Sequence, residues 1–124
     1  MGKTLAGVKV LVVEDDYDLG CMTRSVLEDE GATVRVTSTA SDALETVGSF
    51  HPEIVLLDSR LPDMNGRALS AHLQKRFASC VPILVSGDVA EVEHWSQVGG
   101  HALSKPYDLD EFLSVVVRAL RPNA

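Results

Sequence analysis

The sequence predicts an α/β fold, in which a five-stranded parallel sheet is covered on both faces by five helices. Short apolar runs alternate along the chain with stretches whose apolar residues recur at helical spacing. Right-handed crossovers between such strands place helices on both faces of a parallel sheet. The chain has 124 residues, 45% hydrophobic and 23% charged, which suits one globular domain. We therefore expect a single domain over residues 1–124, with its core at about 8–120.

The first half of the chain predicts three strands separated by two helices. An apolar run from Val8 to Val13 predicts the first strand, Thr33 to Val36 alternates as a half-exposed second strand, and Ile54 to Leu57 predicts the third. Apolar residues at helical spacing predict the two helices between these strands: Leu19, Met22, Val26 and Leu27 in the first, and Ala40, Ala43, Leu44 and Val47 in the second.

The second half of the chain repeats this pattern. Leu69, Leu73 and Phe77 predict a third helix. The remaining elements are predicted as a strand at 83–85, a helix at 89–98, a short strand at 102–104 and a strongly amphipathic helix at 109–120. The first, third and fourth strands are continuously apolar, as central strands are, so the second and fifth are expected at the edges. This assignment fits the strand order 2-1-3-4-5 of one class of doubly wound sheets.

Composition and charge exclude several classes of partner. The 18 acidic and 11 basic residues give a net charge of -7, which repels nucleic acids and anionic lipid surfaces. No apolar run approaches the roughly 20 residues of a membrane span, and the N-terminal segment lacks the apolar core of a signal peptide. We therefore expect no direct nucleic-acid or membrane partner and a cytoplasmic location. Cys21 and Cys80 are expected to be reduced thiols.

Polar residues follow four of the predicted strands, where ligands bind in open α/β sheets. Glu14, Asp15 and Asp16 follow the first strand, and the third, fourth and fifth strands are followed in turn by Asp58, Ser86 and Lys105. Each residue alone has an ordinary explanation as a helix cap, a turn residue or a solvated charge. Together they bring carboxylates close to one another, and their repulsion favours a bound cation. The donors are all hard oxygens with no His or Cys among them, and a small acidic site that must also hold a phosphoryl group suits Mg²⁺ better than Zn²⁺ or Ca²⁺.

This constellation suits phosphoryl transfer to a carboxylate. Asp58 can act as a nucleophile toward phosphorus and form an acyl phosphate. A metal ion and the Lys105 ammonium would neutralise the transferred group, and the Ser86 hydroxyl could hydrogen-bond one of its oxygens. Gly87 leaves space for an incoming donor, and Gly66 is expected in a turn that opens the third helix.

Four segments resemble the motifs of response-regulator receiver domains, in the same order and at similar spacing. They are VLVVEDD ending at Asp16, LLDSRLPDMNG ending at Gly66, VSG ending at Gly87 and SKPY ending at Tyr107. The resemblance extends from Val8 to Leu120 and implies a flavodoxin-like fold. It also implies a place in a two-component phosphorelay, as a stand-alone regulator or as a domain of a larger protein such as a hybrid histidine kinase, which is slightly favoured.

The resemblance implies specific roles for the site residues. Asp58 would be the phosphoacceptor, Ser86 the switching hydroxyl and Lys105 the phosphate partner, with a cis bond before Pro106. The Mg²⁺ ligands would be the side chains of Glu14, Asp15 and Asp58 and the backbone carbonyl of Arg60. The expected partners are a histidine kinase or histidine phosphotransfer domain, a downstream effector protein, and a second copy bound through the fourth and fifth helices. No enzymatic activity is expected beyond self-catalysed phosphoryl transfer and autodephosphorylation.

Two features distinguish this chain from the family pattern. The position three before Lys105, commonly an aromatic residue in the family, is Ala102, so an aromatic side chain there cannot report the state of Ser86; a neighbour such as His101 could fill the space, or no aromatic relay is needed. Arg60 and Asp88 could face each other across the entrance to the site and screen an acyl phosphate from water.

Other residues and functions have weaker support in the sequence. The four histidines lack metal-ligand spacing, and Trp95 is expected first in the core and second in partner contact. A pseudo-receiver that only binds partners, a flavin carrier and a haloacid-dehalogenase-like hydrolase are alternatives. The last of these is suggested by the spacing of Asp16 and Asp18, but its nucleophile would follow the first strand.

Overall fold

All ten predicted elements are present in the structure, a computed structural model that describes residues 4–120. The strands are β1 (Lys9–Val13), β2 (Thr33–Thr37), β3 (Ile54–Asp58), β4 (Val81–Ser86) and β5 (His101–Ser104). The helices are α1 (Tyr17–Asp29), α2 (Ala40–Phe50), α3 (Gly66–Arg76), α4 (Val89–Gln97) and α5 (Leu109–Leu120). Residues 1–3 and 121–124 of the expected domain lie outside the described range.

The strands form one sheet in the order β2-β1-β3-β4-β5, with every neighbouring pair parallel. The predicted doubly wound, flavodoxin-like arrangement is therefore confirmed. The edge strand β2 has only one fully buried residue, whereas the four residues Ile54 to Leu57 of the central strand β3 are all buried. Within residues 4–120 no helix combines the length and the apolar character that crossing a membrane would require.

Two apolar clusters cover the two faces of the sheet, because successive strand residues point in opposite directions. Val10 and Val12 of β1 belong to the cluster beneath α1 and α5, and Leu11 and Val13 belong to the cluster beneath α2 and α3. Fully burying a Leu or Phe side chain contributes about 1.5–3 kcal/mol, so these clusters supply most of the driving force for folding. The sheet therefore provides a fixed frame for the loops at its carboxyl edge.

Side-chain caps begin all five helices just beyond the carboxyl ends of the strands. Each cap accepts a hydrogen bond from the backbone N–H three residues later; the caps are Asp16, Thr39, Asn65, Asp88 and Asp108. Asp63 adds a second connection, because its carboxylate accepts hydrogen bonds from the N–H groups of Ala40 and Ser41 at 2.8 and 3.0 Å. These donors hold the pKa of Asp63 below its usual value. The loop between β3 and α3 is thereby attached to α2.

Candidate functional site

The carboxyl ends of the central strands and β5 meet at one edge of the sheet. Val85 is the partner of Asp58 in the register of β3 and β4, and its carbonyl accepts a hydrogen bond from Ser59 N–H at 3.0 Å. The next carbonyl, that of Ser86, accepts one from Lys105 N–H at 2.8 Å. The parallel pairing therefore brings together the predicted residues that follow separate strands.

Three predicted carboxylates form a compact acidic cluster. Glu14, Asp15 and Asp58 each offer one oxygen, and these oxygens all lie within 4.8 Å of one another. Burial raises the pKa of Glu14 to about 7, and the neighbouring negative charge of Asp58 also raises it; the N–H of Asp16 and the charge of Lys105 act in the opposite direction. Hard oxygen donors at this separation fit a small divalent cation. The raised pKa of Glu14 shows that its carboxylate is costly to ionise without such a cation.

Lys105 supplies the positive charge at the same edge. Its Nζ lies 3.6 Å from Asp58 Oδ2 and 3.8 Å from Glu14 Oε1, beyond ordinary hydrogen-bond length. The Lys105 side chain is 31% exposed and that of Asp58 is 15% exposed, so both are accessible to a ligand at the edge. The peptide bond between Lys105 and Pro106 is cis, as the sequence resemblance implied.

The Ser86 hydroxyl has two polar partners at the start of α4. Its Oγ accepts a hydrogen bond from Asp88 N–H at 3.0 Å and donates one to Glu91 Oε1 at 2.7 Å. In an ordinary capping box the side chain at the third helical position would accept from the N-cap N–H, and here the serine hydroxyl stands between those two groups. Glu91 was missed by the sequence analysis. The Asp-x-x-Glu spacing at the start of α4 was a signal for a helix cap only.

The predicted pairing of Arg60 with Asp88 is not formed. The ion pairs among residues 4–120 are Arg24–Glu28, Arg67–Glu91, Lys105–Glu14 and Lys105–Asp58. The carboxylate of Asp88 instead accepts a hydrogen bond from Glu91 N–H at 3.2 Å and caps α4. Arg60 is exposed, and its N–H donates to Asp58 Oδ1 over a long 3.5 Å. The Asp88 side chain, which was expected to screen the site entrance, is therefore used as a helix cap.

The space beside Ala102 is not filled by His101. Ala102 packs against the cluster beneath α2 and α3, whereas the next residue, Leu103, belongs to the cluster beneath α1 and α5. Since strand residues alternate between faces, His101 shares the α5 face, where burial and the charge of Arg118 lower its pKa. On the other face Trp95 packs against the same cluster as Ala102.

Gly66 is required by a close approach of the backbone to β3. A Cβ at this position would lie 2.5 Å from the carbonyl oxygen of Asp58 and 2.8 Å from Leu84 Cδ1. Gly66 does begin α3, as expected, and its lack of a side chain lets the helix start against the strand that carries Asp58. Around Gly87, by contrast, a Cβ would have nothing within 4 Å.

An apolar cavity of about 490 Å³ opens beside the acidic cluster, between α1 and the segment that joins β5 to α5. Its lining includes Met22 and Val26 of α1, which are 65% and 38% exposed, and Leu109 at the start of α5, which is 48% exposed. Met22 and Val26 were expected on the apolar face of α1. They lie over the cavity rather than in the core, while Leu27 is fully buried. The site is therefore bordered by an accessible apolar surface.

Residues 10–117 match the family profile described as the response regulator receiver domain. The chain belongs to this family. Among curated relatives, this receiver domain is 30% identical to the DNA-binding transcriptional regulator NtrC of Proteus hauseri, over 90% of the chain and 24% of the relative. It is also 30% identical to the Regulator of RpoS of Escherichia coli K12, over 99% of the chain and 38% of the relative. The receiver domain thus spans well under half the length of these relatives.

Solved receiver structures share the fold of this receiver domain. The non-phosphorylated HemR receiver domain of Leptospira biflexa aligns with a TM-score of 0.79 and 28% identity, covering 94% of this chain and 99% of that one. The receiver domain of a LuxO repressor protein from Vibrio parahaemolyticus aligns with a TM-score of 0.80 and 26% identity, covering 91% and 89%. Together with the family match, these similarities identify the receiver domain of a two-component response regulator.

Proposed function

We propose that this receiver domain is a phosphoacceptor switch in which Asp58 takes a phosphoryl group from a histidine kinase or histidine phosphotransfer domain. The observation that carries the proposal is the position of Asp58 at the sheet edge, with the Lys105 ammonium 3.6 Å from its carboxylate and two further acids beside it. A nucleophilic carboxylate next to a cation-binding set and a fixed ammonium is the equipment that phosphoryl transfer needs.

The proposed cofactor is Mg²⁺. The side chains of Glu14, Asp15 and Asp58 and the backbone carbonyl of Arg60 would hold it, and the oxygen cluster and the raised pKa of Glu14 support this assignment. Bound Mg²⁺ supplies neutralisation of the negative charge on the transferring phosphoryl group. It also relieves the repulsion among the carboxylates that the folded chain brings together.

In the proposed transfer, a carboxylate oxygen of Asp58 forms a bond to phosphorus while the P–N bond of the donor phosphohistidine breaks. The electron pair of that bond stays on the imidazole nitrogen, and Asp58 becomes an acyl phosphate. The Lys105 ammonium pairs with the phosphoryl oxygens, and the Ser86 hydroxyl donates a hydrogen bond to one of them. In autodephosphorylation the oxygen of a water molecule attacks phosphorus, which restores the carboxylate and releases inorganic phosphate. We propose no other enzymatic activity.

The donor must bring its phosphohistidine to Asp58, so it must cover the neighbouring surface. The exposed apolar side chains of Met22, Val26 and Leu109 border the site on the α1 side and support docking of the donor there. A downstream effector protein, and a second copy bound through α4 and α5, are the other proposed partners. A net charge of -7 disfavours direct binding to nucleic acid.

The proposed domain extends over residues 1–124 with its core at about 8–120, and the family match over residues 10–117 supports this extent. It would act as a stand-alone regulator or as part of a longer protein. A kinase that draws on ATP implies a cytoplasmic location for the pair. The hydrolase alternative has less support, because the Asp16 carboxylate that would be its nucleophile accepts the Leu19 N–H and caps α1.

Intact-mass measurement after incubation with acetyl phosphate and Mg²⁺ tests this proposal. We expect the wild type to gain the mass of one phosphoryl group, and we expect a chelator to prevent the gain. Asp58→Asn should remain unmodified, whereas Asp63→Asn, which removes a carboxylate in the same loop but outside the acidic cluster, should still be modified. Modification of Asp58→Asn, or none of the wild type, would contradict the assignment.

A further inference from the structure

The Ser86 hydroxyl has a single proton, and in this structure that proton is directed to Glu91. Ser86 is 2% exposed, so water does not compete freely for its hydroxyl. Its Oγ accepts the Asp88 N–H at 3.0 Å and donates to Glu91 Oε1 at 2.7 Å. A hydroxyl can donate only one hydrogen bond. Ser86 therefore cannot donate to a phosphoryl oxygen on Asp58 while it donates to Glu91.

The other oxygen of Glu91 faces α3. Oε2 lies 3.8 Å from Nε of Arg67, and the side chains of Glu91 and Arg67 are 23% and 50% exposed. An ion pair of this length and exposure is weak on its own. It nevertheless offers the Glu91 carboxylate a charged partner close by when Ser86 turns away.

The helix that carries Glu91 is the one least attached to the core. α4 has no fully buried residue, whereas α2 and α3 each have four. Elements with few buried apolar contacts open at low free-energy cost. A change in one buried hydrogen bond can therefore alter the position of α4 more easily than that of the other helices.

We propose that Glu91 is a positioning residue for the Ser86 hydroxyl, and that competition between Glu91 and a phosphoryl group on Asp58 for the Ser86 proton couples the site to α4. This inference rests on the proposed phosphoacceptor function and names its regulation. In the unmodified protein Glu91 holds the hydroxyl and α4 together. When Asp58 is phosphorylated, Ser86 donates to the phosphoryl oxygen, Glu91 is released toward Arg67, and the start of α4 is freed.

This polar connection provides a route to α4 that requires no aromatic residue at position 102. Trp95 lies four residues after Glu91, one turn further along the same side of α4. Its ring covers Gly100, where any Cβ would overlap Trp95 Nε1, and packs against the same cluster as Ala102. A movement of α4 would therefore change the surroundings of Trp95, which is the single tryptophan of the chain.

Beryllofluoride with Mg²⁺ is a suitable probe, because it imitates a phosphoryl group on a carboxylate without a covalent reaction. We expect Glu91→Ala to bind it about tenfold more tightly than the wild type, since one charge-assisted hydrogen bond no longer competes for Ser86. Glu91→Gln keeps an acceptor oxygen without the charge, so its affinity should lie between the two. The matched control is Glu93→Ala, which removes an exposed charge from the same helix.

The same comparison in a Ser86→Ala background separates the relay from a general charge effect. Without the hydroxyl, Glu91→Ala should change the affinity by less than about twofold, because no proton remains to compete for. In the Ser86-containing protein, the emission of Trp95 in free Glu91→Ala should move toward that of the beryllofluoride-bound wild type.

The outcomes distinguish the two levels of the proposal. If the wild type binds no beryllofluoride with Mg²⁺, the phosphoacceptor function itself is wrong. If the wild type binds but Glu91→Ala matches Glu93→Ala, or if the gain persists in the Ser86→Ala background, the relay through Glu91 is wrong and Asp58 remains an acceptor. Circular dichroism of each variant checks that it is folded, and Glu91→Gln provides the decisive comparison should Glu91→Ala unfold.

Discussion

The two sides of Asp58 are built differently. On the open side, formed by α1 and the segment joining β5 to α5, Met22, Val26 and Leu109 border a cavity of about 490 Å³. On the closed side, formed by the starts of α3 and α4, Gly66 packs against β3 and Ser86 is hydrogen-bonded to Glu91 at 2.7 Å. The open side is the proposed docking surface for another protein, and the closed side is the proposed route by which changes are transmitted within the molecule.

This difference indicates where substitutions should act on folding and where they should act on partners. Side chains on the open side are exposed, so the fold gains little from them and their replacement should leave stability nearly unchanged. Groups on the closed side are packed or hydrogen-bonded, so changes there alter the unmodified structure itself. Three further experiments examine this contrast, beginning with the largest expected effect.

On the closed side, we expect Gly66→Ala to lower the free energy of unfolding by about 1–3 kcal/mol, because the new Cβ overlaps the backbone of β3. The overlap involves the Asp58 carbonyl oxygen at 2.5 Å and Leu84 Cδ1 at 2.8 Å. Urea denaturation measures the effect. Gly48→Ala within α2 is the matched control, since its Cβ would meet nothing closer than 4.0 Å and alanine favours the helix by about 0.5–1 kcal/mol. Equal stability of the two variants would contradict a close approach at Gly66.

On the open side, we expect Met22→Glu to slow phosphoryl transfer from a protein donor by about tenfold, because a charge replaces an apolar contact at the docking surface. The donor for this experiment is chosen from the histidine kinases and phosphotransfer domains of the same organism, as the one that phosphorylates the wild type fastest. Modification by acetyl phosphate should be unaffected, and stability should change by less than about 0.5 kcal/mol. The matched control is Ser49→Glu, which adds the same charge at an exposed position of α2, on the opposite face of the sheet. If it slows transfer equally, the open side is not the docking surface.

The loop between β3 and α3 should show a smaller, pH-dependent effect through Asp63. The N–H groups of Ala40 and Ser41 hold the pKa of its carboxyl below the model-peptide value of 3.8, so ionised Asp63 stabilises the fold above that value. This stabilisation is lost as the pH falls through the lowered pKa of the folded state. Asp63→Asn should therefore be less stable than the wild type at neutral pH, and the difference should shrink below pH 3.8. If the thermal unfolding midpoints of Asp63→Asn and the wild type differed by the same amount at neutral pH and below pH 3.8, the stabilising role of ionised Asp63 would be wrong.

Most of the fold could be predicted because the relevant signals are local. Apolar periodicity located all ten elements, and the contrast between continuous and alternating strands placed β2 and β5 at the edges. The meeting of Glu14, Asp58, Ser86 and Lys105 followed from the rule that parallel strands present their carboxyl ends at one edge. Their roles in phosphoryl transfer stay predictions until the mass measurement is made.

The predicted contact that failed concerns a side chain with two competing partners. Asp88 was expected to meet Arg60, but its carboxylate caps α4, since a free N–H at a helix start lies closer than a distant arginine. Gly66 begins α3 as expected, but its close approach to the Asp58 carbonyl oxygen and to Leu84 Cδ1 could not be predicted, because it depends on how α3 packs against the sheet.

The amino-acid sequence by itself determined the order of the elements, the faces of the sheet and the set of charged groups at its edge, because these depend on periodicity and on position relative to strand ends. Only the tertiary structure decided that Ser86 donates to Glu91, that Trp95 covers Gly100 and that Met22 lies over a cavity. Such contacts depend on how each helix is rotated and displaced against the sheet. Packing across both faces sets that orientation, and no local stretch of sequence encodes it.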